Sequence, residues 1–186
     1  MDVVIVVGPQ AVGKMTVGEE LEKRTELKLL HNHMTIDLVL KFMPWEDGID
    51  LIRSMRDEIM KRVAKGSSLG MIITFIWAFN QKEDWEYVEK IRTIFKEHDI
   101  YYVELNSDVD TRLKRNVTEN RLKKKWTKRD TKRSNGELIA SMDKHRMISN
   151  DNEVPYKNYI RIDNTNLSPI EASNMIIKHF NLKTLI

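Results

Sequence analysis

A chain of 186 residues is long enough to bury a full core, and 41% hydrophobic with 32% charged side chains fits one globular domain spanning 1–186. The lack of cysteine excludes disulfides, thiolate metal sites and cysteine nucleophiles, and no apolar run reaches the roughly 18 residues of a membrane span. The net charge of +3 is uneven: Arg112 to Arg133 holds eleven Lys and Arg against Glu119 and Asp130, a local +9 that leaves −6 for the rest.

DVVIVV (Asp2 to Val7) reads as a buried strand, β-branched and without alternation. It breaks at once into Gly8-Pro9, and its start is acidic at Asp2. Both features argue against an export signal and make the cytoplasm the expected location. Helical periodicity follows from Lys14 to about Thr25, then a short strand, Leu27 to His31. Met34 to Met43 suits a helix stopped by Pro44, and Ile49 to Lys65 a second one stopped by Gly66. Met71 to Trp77 is a third strand. Lys82 to His98 is a helix with Trp85, Val88, Ile91 and Phe95 on one face, and Ile100 to Leu105 is a fourth strand. The basic stretch is expected to be helical in two pieces, interrupted near Trp126 to Arg129. Gly136 to Ile148 is read as a helix and Tyr159 to Ile162 as a fifth strand. The last helix begins at Ser168 with a capping box to Glu171 and Pro169 in its first turn.

Strand and helix in alternation imply a three-layer α/β sandwich around a five-stranded parallel sheet. Ligands in such sheets bind at the carboxyl ends of the strands, which places the site just after Val7, His31, Trp77 and Leu105.

The residues after Val7 read GPQAVGKMT, a G-x-x-x-x-G-K loop with a strand before it and a helix after it. Gly8 and Gly13 allow close backbone approach, and the amides of Gln10, Ala11, Val12, Gly13, Lys14 and Met15 can converge on a phosphate at a helix N-terminus. Lys14 is the side chain that reaches the terminal phosphates. Met15 stands where the loop usually carries a hydroxyl for Mg²⁺, and a thioether is a poor ligand for a hard cation. Thr16 is turned about 100° from that position and is expected on a phosphate oxygen. Mg²⁺ is then expected to be held mainly by ATP oxygens and water, with Asp37 as the candidate carboxylate.

With this loop, the arginine-rich segment and the Asp163-Asn164-Thr165 turn after the fifth strand, the chain resembles the small P-loop kinases: shikimate kinase, gluconate kinase, chloramphenicol phosphotransferase and the nucleoside monophosphate kinases. GPQAVGKMTVGEEL followed by LLHNHMTIDLV also resembles a group of bacterial shikimate-kinase-like proteins. The resemblance implies ATP and Mg²⁺ as cofactors and a mobile basic lid at about 112–136. It also implies Arg115 and Arg121 on the phosphates and the adenine, and Asn164 and Thr165 beside the base. It puts the acceptor's partners after the second strand. There HNHMTID replaces the two aspartates of shikimate kinase, which argues against shikimate.

Asp37, one helical turn beyond His33, is the candidate general base. His31 and His33 suit substrate binding or proton transfer, with capping or buried hydrogen bonding as the alternative. The resemblance to shikimate kinase makes Arg53 and Arg56 candidates for the acceptor, since they lie in the part of the chain that carries its carboxylate-gripping arginine; Arg129 is a candidate for gripping phosphate, and Trp77, at the end of the third strand, for walling the acceptor pocket. Lys123, Lys124 and Lys125 are read as solvated. The expected function is an ATP-dependent kinase of a small hydroxyl- or phosphate-bearing metabolite, active as a monomer or homodimer. A nucleoside or nucleotide kinase is the alternative. A nucleotide-binding or nucleic-acid-binding protein with little turnover is the alternative of another class; the basic run carries one aromatic, Trp126, which weighs against nucleic acid.

Overall fold

The computed structural model describes residues 1–185. Five parallel strands, β1 (Asp2–Val7), β2 (Lys28–His31), β3 (Gly70–Thr74), β4 (Asp99–Asn106) and β5 (Tyr159–Asp163), form one sheet in the order β2-β3-β1-β4-β5. The expected three-layer α/β arrangement is the one observed. From β1 the chain crosses to the edge strand β2, returns through β3 beside β1, and then passes to the other side through β4 and β5. The sheet therefore changes direction at β1, and a crevice opens above its carboxyl end.

Alternation along β1 divides the core. Val4 and Val6 join Leu21, Val103 and Ile176 on one face, under α1 (Lys14–Arg24) and α8 (Pro169–Phe180). Val3, Ile5 and Val7 join Met60, Ile91 and Phe95 on the other, under α3 (Trp45–Lys65) and α4 (Lys82–Ile94). Both faces are covered, which is why β1 reads as an unbroken apolar run.

Several boundaries differ from those expected. Helix α2 is Asn32–Val39, and Pro44 caps the start of α3 rather than only stopping α2, as suits a residue with a fixed φ and no amide proton. Strand β3 ends at Thr74, so Phe75 to Trp77 run beyond the ladder. The basic stretch forms α5 (Val109–Asn116), α6 (Glu119–Lys124) and a 3-10 turn (Trp126–Lys128), with a further break at Val117-Thr118. The helix expected from Gly136 is α7 (Thr131–Lys144); it starts earlier because the Asp130 carboxylate caps it, accepting from the Arg133 amide at 3.0 Å. The capping box of α8 forms as read, with Ser168 and Glu171 each accepting the other's amide. Among the described residues no helix is long and apolar enough to cross a membrane.

Candidate active site

The carboxyl end of β1 feeds a loop whose conformation depends on its glycines. Gly8 has φ +136°, and a Cβ there would stand 2.3 Å from the Leu105 carbonyl of neighbouring β4. Gly13 caps α1 in the left-handed region at φ 111°, and Ala11 also holds a positive φ of 61°. The loop is tied down at its crest. Asn164, buried, donates to the Val12 carbonyl at 2.8 Å, Arg112 donates to the Gln10 carbonyl at 2.9 Å, and the Gln10 amide reaches the Ser134 carbonyl at 3.3 Å. The loop thus curls around open space at the N-terminus of α1, where the helix dipole and free amides favour an anion.

That space is part of a cavity of about 890 Å³, lined from Gln10 through Val17 on one side and by the basic segment on the other. Lys14 folds back so that its Nζ donates to the carbonyls of Gly8 (2.6 Å) and Pro9 (2.8 Å). Burial, with added repulsion from Lys125, Arg121 and Arg112, holds its ammonium well below the usual lysine pKa. Arg121 also lines the cavity; its buried Nε has no partner, and desolvation lowers the guanidinium to about 10. Lys125 completes the group. Its Nζ makes no hydrogen bond or ion pair among the described residues, and burial together with Arg121 lowers it to about 7. The one acidic residue lining the cavity, among the described residues, is Glu137, and Lys128 (2.7 Å) and Arg133 (2.9 Å) already hold it.

Across the cavity from the loop stand His31, Asn32, His33 and Ile36 at the start of α2. His33 Nδ1 lies 3.1 Å from Asp37 Oδ1, one helical turn away, and the Thr127 hydroxyl donates to the same oxygen at 2.9 Å. The Trp126 indole donates to the Asp37 carbonyl at 3.2 Å, so the 3-10 turn of the basic segment rests on α2. Burial alone would raise the Asp37 pKa, but the bonds and charge of His33, with the Thr127 hydroxyl and Lys125, outweigh it and hold the carboxyl below its usual range. Burial lowers His33 despite Asp37, and lowers His31 to about 4, with Lys125 adding to both shifts. Both imidazoles are therefore neutral at neutral pH.

The structure brings together Gln10 through Thr16, His31, His33, Arg115, Arg121 and Asn164 at one cavity. Other expected site residues lie elsewhere. Trp77 is fully buried, stacked on Phe79 at 4.6 Å and edge-on to Trp85 at 4.7 Å. The reason is parity: Phe75, Trp77 and Phe79 share one side of an extended segment, and Ile76, on the other side, lines the cavity instead. Arg53 is exposed, 4.0 Å from Asp50, and turned away. Arg56 is committed to the Asn32 carbonyl (2.7 Å) and the Thr35 hydroxyl (2.8 Å), where it braces the start of α2. Arg129 is exposed and donates to the Leu122 carbonyl at 3.2 Å. The Thr165 side chain accepts from the Asp108 amide at 3.1 Å and does not line the cavity. Asp37 does not line it either; its carboxylate faces His33 and Thr127.

Arg115 reaches the cavity, but its guanidinium is spent on the protein. It donates to the carbonyls of Asn164 (2.8 Å), Val12 (3.1 Å) and Thr165 (3.2 Å), which rivets the loop to the turn after β5. Lys125 is the residue the sequence reading set aside. A partial signal was present: Lys125 follows Arg121 by four residues, about one helical turn, as the C-cap of α6, whereas Lys123 and Lys124 point to Glu119 and Glu19.

The donor set does not fit a protein-held Mg²⁺. Loops of this type hold the ion through a hydroxyl after the lysine and an acid at a strand end. Here the first is the buried Met15, and β3 ends in Thr74 followed by Phe75-Ile76. Among the described residues no cluster of three or more His, Asp or Glu is placed to hold a metal.

Solved structures share the fold. Shikimate kinase of Acinetobacter baumannii, in complex with shikimate, superimposes with a TM-score of 0.54 at 16% identity, over 96% of this chain and 92% of that one. The fold is that of the P-loop kinases. A gluconokinase from Sinorhizobium meliloti matches with a TM-score of 0.56 at 14% identity, over 97% of this chain and 91% of that one. The tunicamycin resistance protein of Deinococcus radiodurans matches over 100% and 99%, with a TM-score of 0.56 at 12% identity. No protein-family model and no curated protein sequence matches the chain.

Proposed function

We propose that the protein is a phosphotransferase that moves the γ-phosphoryl group of ATP to a small hydroxyl- or phosphate-bearing metabolite, with the whole chain as one kinase domain and 112–136 as its lid. One observation carries the reading. The amides of a strand–loop–helix cradle and three cations, Lys14, Arg121 and Lys125, converge on one cavity with no free carboxylate to neutralise them. Clustering unpaired cations in a partly buried space is unfavourable unless a polyanion enters it.

The base differs from the one the sequence suggests. Asp37 is held by His33 and Thr127, and its depressed pKa makes it a weak base. A carboxylate can only accept, so the bond between Asp37 and His33 fixes the proton on His33 Nδ1 and leaves Nε2 with its lone pair. In this reading Nε2 takes the acceptor's hydroxyl proton, the oxygen attacks the γ-phosphorus, and the bond to the leaving ADP oxygen breaks. Asp37 orients and stabilises the imidazolium, the role a carboxylate has behind a catalytic histidine. Lys14 and the lid cations stabilise the charge on the transferring group.

The nucleic-acid alternative loses its main support, because the +9 segment is not a free basic stripe. Arg112 and Arg115 bind loop carbonyls, Arg121 and Lys125 face the cavity, and Lys123, Lys124, Lys128 and Arg133 pair with acids. A nucleoside or nucleotide acceptor remains a second reading, favoured by Trp45 and Trp126 among the lining residues. The test is to screen a metabolite pool for ATP-dependent phosphorylated products, with Lys14→Ala as control. Product made by the native chain and not by the variant supports the proposal; equal turnover by both rejects it.

A further inference from the structure

We propose that Lys125, on the lid, supplies the counter-charge that a protein-anchored Mg²⁺ supplies in ordinary phosphate loops, so that this chain binds a nucleoside triphosphate without needing a metal for affinity. The proposal rests on the reading of the loop as a nucleotide cradle. Two independent features of the site support it.

The first is the missing half of the metal site. The residue after the loop lysine is Met15, buried to 5% exposure, and no acid follows either strand flanking β1 in a usable place. β3 runs into Thr74-Phe75-Ile76; β4 runs into Asn106-Ser107, and Asp108 beyond it is taken up capping α5 through the Thr111 amide at 2.7 Å. Glu137, the acid on the cavity wall, is held by two cations. Among the described residues a hard, octahedral ion finds no free carboxylate at the phosphate end of this cavity, and the Thr16 hydroxyl there donates to the Gly13 carbonyl at 2.9 Å.

The second is the cation that stands there instead. Among charged neighbours, Lys125 is the one that most depresses Lys14, and it also depresses His31 and His33. Lys125 lines the same cavity as the loop lysine and the histidine pair, which is where phosphates would lie during transfer to an acceptor held by α2. Its own ammonium has no partner among the described residues, although Glu19 pairs with the adjacent Lys124. The chain brings it there by a firm route: the amide of Lys125 closes α6 on the Arg121 carbonyl at 2.9 Å, and the next two residues dock on Asp37. Burial and Arg121 lower it to about 7, so an arriving polyanion restores its full charge and is bound more tightly for doing so.

Calorimetric titration of the full chain with ATP, in excess EDTA and in excess MgCl₂, decides the matter. The two dissociation constants are expected to agree within about threefold. Lys125→Met is expected to weaken binding in EDTA by about tenfold or more, the loss of a charge-assisted contact, whereas Lys125→Arg keeps it. Lys123→Met removes the same formal charge from an exposed residue paired with Glu119 and is expected to change affinity by less than about twofold. Binding in MgCl₂ that falls more than about tenfold in EDTA overturns the proposal and leaves the nucleotide reading standing. Equal losses for the Lys123 and Lys125 variants overturn it too, since bulk charge would then explain both. ATP binding in neither buffer sinks the nucleotide reading itself. The comparison of buffers on the native chain decides even if a Lys125 variant fails to fold.

Discussion

Replacing Arg115 by Met separates a structural rivet from a phosphate hand. The guanidinium makes two short bonds, to the Asn164 carbonyl at 2.8 Å and the Val12 carbonyl at 3.1 Å, and weaker contacts of 3.2 to 3.4 Å to the Thr165 carbonyl, the Ser107 hydroxyl and the Asn164 amide oxygen. Removing it strands few acceptors. Val12 keeps the Asn164 side-chain donor at 2.8 Å, and the Asn164 carbonyl keeps the Leu167 amide at 3.2 Å. The loss is then the bonds themselves, about 1.5 kcal/mol for each of the two short charge-assisted ones, or about 3 kcal/mol together. For a chain of this length that lowers the melting temperature by about 6–12 °C. The assay is a thermal melt by circular dichroism, paired with ATP titration. ATP affinity is expected to fall less than the stability change suggests, because Lys14, Arg121 and Lys125 remain. A melting temperature within about 2 °C of the native chain, together with lost ATP affinity, would refute the rivet and return Arg115 to the phosphates.

Gly8→Ala places a Cβ 2.3 Å from the Leu105 carbonyl at a φ of +136°, and is expected to lower the urea-derived stability by about 3 kcal/mol. An unchanged midpoint contradicts that contact. Thr127→Val removes the 2.9 Å bond that docks the basic segment on Asp37 and is expected to speed limited proteolysis of residues 117–130 about fivefold, for roughly 1 kcal/mol of docking. Asp37 has a depressed folded pKa, so this protection is fully present above about pH 4 and is lost as pH falls through the folded value; protection that persists in strong acid speaks against it. His33→Gln is expected to cut turnover by about a hundredfold or more while ATP affinity holds. In the native chain burial holds the His33 pKa low, so the kcat/KM of the proposed reaction is expected to stay level as pH falls through about 6.5 and to drop only below it; a break at or above that value rejects His33 as the base.

The fold was legible because its signals are local. The unbroken apolar run of β1, the Ser168–Glu171 capping box and the G-x-x-x-x-G-K loop each report a short stretch of chain through its own periodicity or cap. Alternation of strand and helix then leaves few topologies. The loop half of the site was legible for the same reason, since cradle, glycines and lysine are contiguous. The half formed by α2 and the basic segment was not. Whether Trp77 or Ile76 faces the cavity depends on parity at a strand end, and β3 stops at Thr74, short of the Trp77 end that composition suggests.

Sequence alone therefore determined a parallel α/β sheet with a glycine-rich loop, the proposed phosphate cradle, after its first strand, and Met15 where such loops carry a hydroxyl. Only the tertiary structure decided which cations serve that cradle. Arg115 is consumed by carbonyls far along the chain, Arg56 by the Asn32 carbonyl and the Thr35 hydroxyl, Arg53 is exposed beside Asp50, Arg129 is exposed on the Leu122 carbonyl, and Lys125 turns inward from a run that looks solvated. A charge is used where its partners are, and those partners are set by the crossing of β1, α2 and the lid, up to about a hundred residues apart.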